Sequence, residues 1–427
     1  MMTLEHDPQM QHSTVEYGPL PEEMLITAGL DFYKPTMSQV QFEQHRDAEV
    51  TFTFKNRGQQ RLADYVGVEQ LQARLDSLQQ NGWASDELEF LASLRDTNGQ
   101  PRFSTDFLDY LSSHDLPPVE VSLNETTNDL AIQTTGDWPM VTFWETVIMS
   151  EVNEIYFVNY LRQNNLDIEA IYAEGERRLN EKIAVLQANP DIKFSDFGTR
   201  RHFSLRWQKY VNERLMRECP NNFMGTSNVA LAQSLEVKPI GTFAHEMPMV
   251  YAGIAQAMGK DIRASHHEML EDWFDRYGED LSTALTDTFT SEFFFSDFTP
   301  EQATKWRSLR HDSGDPIEFG ERAIKFYEED GIDPTTKTIV FSDGLDINEI
   351  LKLHEYFKGR INMVFGWGTT LTNDLGIKAL NVVMKATHVK LPTGQEADLV
   401  KLSDNVGKHT GPQTLVDEYQ QTFGKED

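Results

Sequence analysis

Short apolar runs alternate with amphipathic helical stretches through the middle of the chain. From about residue 190 onward, a run of strand character ends in a polar or glycine-containing loop, and a helical pattern follows. Residues 194–198, 338–341 and 361–365 are clear examples of such runs. About seven of these units in roughly 190 residues predict a parallel sheet arranged as an irregular β/α barrel. An open doubly wound sheet is the alternative that this pattern leaves.

The segment before this region has a different pattern. Residues 50–54 and 130–134 alternate like strands, and a polar amphipathic helix is predicted over 69–80. We therefore predict an N-terminal α/β domain over 24–160 and the barrel over 161–375.

Both ends of the chain depart from the repeating pattern. Residues 1–23 carry no apolar periodicity, which predicts an extended or disordered tail. Residues 380–387 and 398–402 look like strands around a Pro-Thr-Gly turn. The segment 376–427 is therefore predicted to rejoin the N-terminal domain.

Two helix starts in the barrel region carry capping signals. Asp315 is followed by Pro316 and by Glu318, and Asp346 is followed by Glu349. An aspartate at the N-cap accepts hydrogen bonds from the first free backbone N–H groups of a helix. Helices are therefore predicted to begin directly after both aspartates.

Charge excludes some classes of partner. The 427 residues include 68 acidic and 38 basic ones, which gives a formal net charge of −30. Such a surface repels a phosphate backbone and an anionic membrane, so neither nucleic acid nor a membrane is expected as a partner. A ligand that carries phosphate would require the few basic residues to gather around it.

Cysteine content and apolar run lengths indicate the compartment. Cys219 is the single cysteine, so the chain can form neither an internal disulfide nor a multi-thiolate metal site. No uncharged apolar run reaches the roughly 18 residues that a membrane span needs. We therefore expect a cytoplasmic protein without a signal peptide.

A histidine and a glutamate stand where a predicted strand gives way to a helix. His245 and Glu246 follow the run 240–242 and precede an apolar helical pattern. In parallel α/β folds, ligands bind at this edge of the sheet. His245 is thus a structural loop residue, a general base or a nucleophile, and spacing does not choose among the three. Glu246 is predicted to orient the ring.

Two glycine-containing loops at strand ends suit phosphate. Gly366 and Gly368 precede Thr369, and Ser342 is followed by Gly344 after another strand. Glycines let backbone N–H groups close around an anion, and hydroxyl groups add donors. A tight turn and a helix cap are the structural alternatives for these loops.

Basic residues stand at two further strand ends. Arg200 begins a helical stretch, where it opposes the helix dipole, and this placement favours anion binding over salt bridging. Arg310 is suited to clamping a carboxylate, and Asp312 could hold a metal or a ribose hydroxyl. His311 between them is interpreted as an ordinary loop histidine, and Tyr33, outside the barrel, as a packing residue.

Eight short motifs occur together in an order that resembles the nicotinate phosphoribosyltransferases in their bacterial form. Each motif alone is weak, but their joint order over about residues 25–408 is specific. The matching segments are 31–37 (DFYKPTM), 196–201 (DFGTRR), 225–228 (GTSN), 241–246 (GTFAHE), 285–288 (LTDT), 310–315 (RHDSGD), 341–343 (FSD) and 365–369 (FGWGT).

The resemblance implies an irregular α/β barrel with an N-terminal α/β domain, working as a homodimer with its active site at the subunit interface. It implies that nicotinate and phosphoribosyl pyrophosphate give nicotinate mononucleotide and pyrophosphate, with Mg²⁺ as cofactor. It also implies that ATP hydrolysis is coupled to this reaction in NAD salvage.

The resemblance assigns roles to individual residues. His245 matches the transiently phosphorylated histidine, which favours the nucleophile among its three roles. Tyr33 matches an aromatic residue that the partner subunit contributes. The implied nicotinate site comprises Tyr33, Phe197, Thr242 and Arg310. The implied phosphoribosyl pyrophosphate site comprises Arg200, Asp287, Ser342, Gly344, Gly366, Gly368 and Thr369. The metal ligands stay unassigned, and Mg²⁺ is expected on substrate phosphates.

Two residues bear on specificity. The related enzymes that use nicotinamide carry an aspartate where this chain has Ser227. A serine side chain would not repel the carboxylate of nicotinate, so Ser227 favours nicotinate over nicotinamide. Trp367 is bulky for its loop and could pack beneath it or narrow the phosphate pocket. The alternatives are a nicotinamide-using enzyme, a barrel enzyme for another sugar phosphate, and a nucleotide-sensing protein that has kept the fold.

Overall fold

The computed structural model describes residues 25–405 and 409–424. The tail predicted over 1–23 lies outside these residues. Within them, none of the helices combines the length and the apolar composition that a membrane crossing requires.

An antiparallel sheet forms the N-terminal part of the molecule. It has five strands in the order β11-β10-β1-β3-β2. Their bounds are β1 Glu49–Asn56, β2 Val119–Leu123, β3 Leu130–Asp137, β10 Val382–Lys390 and β11 Glu396–Asp398. The last two strands come from the far end of the chain, and β10 pairs with β1 from Glu49 opposite Lys390 to Asn56 opposite Val382.

A parallel sheet forms the middle of the molecule. It has six strands in the order β5-β4-β9-β8-β7-β6. Their bounds are β4 Phe194–Asp196, β5 Phe223–Thr226, β6 Thr283–Leu285, β7 Ser308–His311, β8 Thr338–Phe341 and β9 Asn362–Trp367. The predicted fold class is confirmed: the protein is mixed α/β, with a parallel sheet and an N-terminal α/β domain. Pairing among the described residues leaves this sheet open between its outer strands.

Helices connect and cover the strands of both sheets. In the N-terminal part they are α1 Tyr33–His45, α2 Val68–Asn81, α3 Ser85–Ser93, α4 Thr105–Ser113, α5 Trp138–Val141, α6 Trp144–Gln163 and α7 Ile168–Ala188. Around the parallel sheet they are α8 Leu205–Glu218, α9 Val229–Ser234, α10 Glu246–Ala257, α11 Ala264–Tyr277, α12 Ser291–Asp297, α13 Pro300–Lys305, α14 Pro316–Glu329, α15 Ile347–Phe357 and α16 Thr369–Thr372. The last helix is α17 Gln413–Phe423.

Both predicted helix caps are confirmed. The Asp315 carboxylate accepts from the backbone N–H groups of Ile317 and Glu318, at 2.8 and 3.0 Å. Asp346 does the same for α15, at 2.8 and 2.9 Å. Each cap fixes the loop between a strand end and its helix, which is where the candidate functional residues lie.

One predicted strand is only partly realised. Residues 240–242 form no strand, although Pro239 makes a parallel bridge to Thr226 at the end of β5. A Cβ atom on Gly241 would lie 2.7 Å from the backbone nitrogen of Tyr33. The first residue of α1 therefore packs against this segment where a continuing ladder would otherwise run.

Candidate active site

A cavity of about 460 Å³ lies where the carboxyl ends of the parallel strands face β10 of the N-terminal sheet. The barrel loops supply His245, Arg310, Ser342, Gly366 and Thr369 to its wall, and β10 supplies Lys385. The two sheets thus enclose one site. Its remaining lining includes Tyr33, Arg57, Glu145, Phe197, Arg200, Arg201, Glu246, Asp312, Gly344, Gly368 and Lys401.

The His245 ring is held on both of its nitrogen atoms. Its Nδ1 lies 2.9 Å from the Thr288 hydroxyl, and its Nε2 lies 3.0 Å from Asp312 Oδ2. The ammonium of Lys401 lies 2.9 Å from the same Nε2. A bare Nε2 can accept from Lys401, whereas a protonated Nε2 donates to Asp312.

The surroundings keep His245 neutral. Burial lowers the pKa of His245, and the positive charge of Lys401 lowers it further, against the opposing effect of Asp287 and Asp312. A neutral imidazole has a lone pair on one nitrogen. The ring is therefore available as a nucleophile or base at neutral pH.

Asp312 joins His245 to Arg310. Its Oδ1 accepts from Arg310 Nη2 at 2.9 Å and from the Ser342 hydroxyl at 2.7 Å. Arg310 Nε also donates to the Ser342 hydroxyl, at 2.8 Å. Although burial acts to raise the pKa of Asp312, Arg310, His245 and Lys401 hold it well below its usual range. Asp312 is therefore a carboxylate in the folded protein.

A second carboxylate lies beneath Lys401. Asp287 Oδ2 is 3.2 Å from the Lys401 ammonium and 2.6 Å from the Ser313 hydroxyl. Burial acts to raise the pKa of Asp287, but His245 and Lys401 lower it. Asp287 Oδ1 is buried without a hydrogen-bond partner, and it lies 3.8 Å from His245 Nε2.

The residues around His245 offer a place for a divalent cation. One ligand atom from each of His245, Asp287 and Asp312 lies within 4.8 Å of the others. The carboxylate oxygens are ligands that Mg²⁺ prefers, and Asp287 Oδ1 has no other partner. Lys401 already supplies a positive charge at this point. Asp287 and Asp312 therefore fit Mg²⁺ better than His245 does.

Two aromatic rings line the other end of the cavity. Tyr33 and Phe197 both lie on its wall, and the Arg310 guanidinium is 5.9 Å from the Phe197 ring centre. A Cβ atom on Gly366 would lie 2.5 Å from that ring, so only glycine leaves room for it. Tyr33 thus reaches the cavity within its own chain.

The predicted phosphate loops border the cavity from the barrel side. Ser342, Gly344, Gly366, Gly368 and Thr369 all line it. Trp367 does not: it is fully buried, with its Nε1 donating to the Thr370 hydroxyl at 2.6 Å. Trp367 therefore packs beneath the loop and leaves the cavity open.

The N-terminal sheet adds basic residues that the sequence patterns did not single out. Arg57 and Lys385 line the cavity, and Arg201 there donates to the carbonyl oxygen of Val382 at 3.0 Å. Burial and the neighbouring Arg57 and Lys401 lower the pKa of Lys385 to about 7. In a chain so rich in acid, these cations mark the wall where an anion would bind.

Three residues singled out from the sequence make contacts other than those expected. Thr242 does not line the cavity, and its backbone oxygen accepts from the Thr36 hydroxyl at 3.3 Å. Ser227 is buried and donates to Asp31, so it faces a carboxylate of its own chain. The Glu246 carboxylate is bound by Lys34, Trp138 and other donors rather than by His245.

These contacts correct the expectation for Glu246. The His245 ring is oriented by Thr288 and Asp312, because the Glu246 side chain is fully engaged on the opposite side. The sequence also missed Lys401, which lies within the predicted strand 398–402 and is not part of any matched motif. Its single clue was a lysine in a segment predicted to rejoin the N-terminal domain.

Comparison with known proteins matches both parts of the chain. Residues 192–427 match the nicotinate phosphoribosyltransferase (NAPRTase) family model, and residues 29–153 match the model for the N-terminal domain of that family. The chain belongs to the nicotinate phosphoribosyltransferase family. The family predicted from the eight motifs is therefore confirmed.

Solved structures of this family share the whole fold. The nicotinate phosphoribosyltransferase of Porphyromonas gingivalis is 31% identical, covering 93% of this chain and 99% of that one, with a TM-score of 0.83. The Vibrio cholerae nicotinate phosphoribosyltransferase is 30% identical, with 94% of each chain covered and a TM-score of 0.81. A putative one from Saccharomyces cerevisiae is 25% identical, covering 93% and 97%, with a TM-score of 0.79.

Proposed function

We propose that this protein joins nicotinate to phosphoribosyl pyrophosphate and couples the reaction to ATP hydrolysis through a phosphohistidine at His245. Family membership supports the transfer reaction. The observation that carries the coupling is the neutral His245 ring on the cavity wall, with Lys401 2.9 Å from its Nε2. A cation at this distance stabilises the negative charge of a phosphoryl group on that nitrogen.

In the transfer step, the pyridine nitrogen of nicotinate attacks C1 of the ribose, and the bond from C1 to the pyrophosphate oxygen breaks. No base is needed, because the pyridine nitrogen has a free lone pair. The protein's task is to align the two reactants and to stabilise the leaving pyrophosphate. Tyr33 and Phe197 enclose the ring, Arg310 pairs with its carboxylate, and Arg200 and the glycine loops bind phosphate. Mg²⁺, when bound, neutralises pyrophosphate, and Asp287 and Asp312 would hold it.

In the coupled step, His245 Nε2 attacks the terminal phosphorus of ATP, the bond to the ADP oxygen breaks, and ADP leaves. Thr288 at Nδ1 fixes the ring so that Nε2 faces the cavity. Water later attacks the phosphorus, and the phosphate leaves as the P–N bond breaks. A ring proton on Nε2 passes to Asp312, 3.0 Å away, as Nε2 attacks, and it returns to Nε2 when the P–N bond breaks. We further propose a homodimer as the working state.

The test uses purified protein with phosphoribosyl pyrophosphate, Mg²⁺ and ATP, and either nicotinate or nicotinamide. Nicotinate mononucleotide is expected from nicotinate. Turnover of nicotinamide without turnover of nicotinate would contradict the substrate assignment. A His245→Ala variant is expected to lose ATP hydrolysis and ATP stimulation while a slow transfer reaction remains, since the transfer step does not need the ring. ATP coupling that survives in this variant would contradict the phosphohistidine.

A further inference from the structure

Lys34 is a buried cation that the proposed reaction does not use. It lies on α1 with no exposed surface. Its ammonium forms ion pairs with Glu145 and Glu246 and donates to the Thr142 hydroxyl at 3.2 Å. The aromatic ring of Phe52 lies 5.4 Å from the same atom. A charge removed so completely from water is retained only where its partners compensate it.

Glu246 is the first residue of α10 and follows His245 directly. Besides Lys34, its carboxylate accepts from Trp138 Nε1 at 2.6 Å, the Thr142 hydroxyl at 2.7 Å and Gln41 Nε2 at 3.1 Å. All four donors belong to the N-terminal part of the chain. The start of α10 is therefore held from the N-terminal side, while the His245 ring faces the barrel.

Glu145 connects Lys34 to the aromatic end of the cavity. It lies in the first turn of α6, lines the cavity, and its Oε1 is 3.8 Å from Arg200 Nη1. Arg200 is 6.0 Å from the Tyr33 ring centre. Glu145 and Glu246 share Lys34, and they border different ends of the same cavity. Glu145 lies at the aromatic end, and Glu246 lies next to His245.

We propose that Lys34 is a positioning residue that fixes the start of α10, and with it His245, through its ion pair with Glu246. Without the ammonium, two carboxylates would remain buried next to each other, and Glu246 would lose the partner that ties it to α1. The turn that carries His245 would then be free to shift. A shift of about 1 Å is enough to separate a reacting group from its target. This inference rests on the role proposed for His245.

The experiment compares the wild type with Lys34→Met, Glu246→Gln and the double variant. Lys337→Met is the matched control. Lys337, which directly precedes β8, is also buried, but its ammonium donates to the carbonyl oxygens of Thr304 and Trp306. The readout is the ¹H–¹³C chemical shift of the His245 ring at one fixed pH, by NMR of protein with ¹³C-labelled histidine, assigned with His245→Gln. No ATP is needed for this readout.

Both single variants are expected to move the His245 ring signal, because the ring leaves its contacts with Thr288 and Lys401. The double variant is expected to move it no further, since both substitutions break one contact. Lys337→Met is expected to leave it unchanged. Phosphorylation of His245 from labelled ATP is expected to fall about tenfold in the single variants, a loss of about 1.4 kcal/mol in transition-state stabilisation.

An unchanged His245 ring signal in folded Glu246→Gln, or strictly additive effects in the double variant, would overturn the proposal. Glu246→Gln keeps the size of the side chain, so it serves if Lys34→Met does not fold. A wild type that takes up no label from ATP would contradict the phosphohistidine instead. The ring signal would then still decide the role of Lys34.

Discussion

At the scale of single residues, the site divides into groups that the sequence indicated and groups that only the fold brings in. Arg310, Asp312 and Ser342 were predicted as site residues at strand ends, and hydrogen bonds of 2.7–2.9 Å join them at the ends of the adjacent strands β7 and β8. Lys401 was not expected, because it reaches His245 from 156 positions away. Strand order in a sheet constrains the first set, whereas nothing local constrains the second.

A prediction follows for Lys401 at this scale. In Lys401→Met, the pKa of His245 is expected to rise, because the ammonium that lowers it is gone. ATP-stimulated transfer is expected to fall by about 10²-fold, the usual effect of removing one charge-stabilising donor. ATP-independent transfer is expected to change much less. Steady-state kinetics with and without ATP measure both rates.

Lys390→Met is the matched control for Lys401→Met. Lys390 ends β10 with an exposed side chain, so its removal changes net charge equally without touching the cavity. Equal losses with and without ATP in Lys401→Met would show that this lysine serves the transfer step rather than the phosphoryl step.

At the scale of elements, helix starts and strand ends were predictable and the close packing between loops was not. The caps at Asp315 and Asp346 follow from side-chain chemistry within three residues. The strand predicted at 240–242 does not form, because α1 packs against Gly241. This helix lies about 200 positions earlier in the chain. Tertiary contacts of this kind leave no periodic signal in the segment that they alter.

Gly366 gives a prediction at the element scale. In Gly366→Ala, the new methyl group is expected to displace the Phe197 ring, which would otherwise lie 2.5 Å away. The strands cannot separate to relieve this contact, since Gly366 pairs with Ser195 in the ladder between β4 and β9. The KM for nicotinate is expected to rise about tenfold, or about 1.4 kcal/mol, with a smaller change for phosphoribosyl pyrophosphate.

Gly67→Ala is the control for Gly366→Ala. Gly67 precedes α2, and a Cβ atom there would meet only Gln70 at an ordinary 3.7 Å. Its kinetics are expected to match the wild type. An increase in KM for phosphoribosyl pyrophosphate alone in Gly366→Ala would mean that the ring at Phe197 does not contact nicotinate.

At the scale of the whole molecule, the two-part fold was predictable because each part has its own hydrophobic period, and the family match followed from motif order. The shared cavity was harder to predict, because Arg57 and Lys385 enter it from a sheet built from both ends of the chain. No single stretch of sequence carries that arrangement.

The stability of the whole molecule toward acid depends in part on one histidine, His45. His45 packs between Trp138 and Tyr251, with its Nε2 lacking a hydrogen-bond partner. Burial, and to a lesser degree Lys260, lower the pKa of His45 from 6.5 to about 4. A lowered pKa means that the unfolded chain binds the proton more tightly. The contribution of the neutral His45 ring to the free energy of unfolding is therefore fully present above pH 6.5 and is lost as the pH falls toward about 4.

The free energy of unfolding of the wild type, relative to His45→Gln, is expected to decrease by up to about 3 kcal/mol between about pH 7 and pH 4. Urea unfolding at several pH values measures it. A constant difference for His45→Gln across this range would contradict the neutral buried ring.

The pairing of β10 with β1 has a consequence for synthesis on the ribosome. Strand β1 is made before the parallel sheet, whereas its partner from Val382 to Lys390 follows that sheet in the chain. Until β10 emerges, β1 presents an unpaired edge, which is the kind of surface that promotes aggregation of nascent chains. The N-terminal sheet, and the cavity wall that it forms, can be completed only after the parallel sheet has left the ribosome. Emergence of β10 is therefore the step that completes the wall of the cavity.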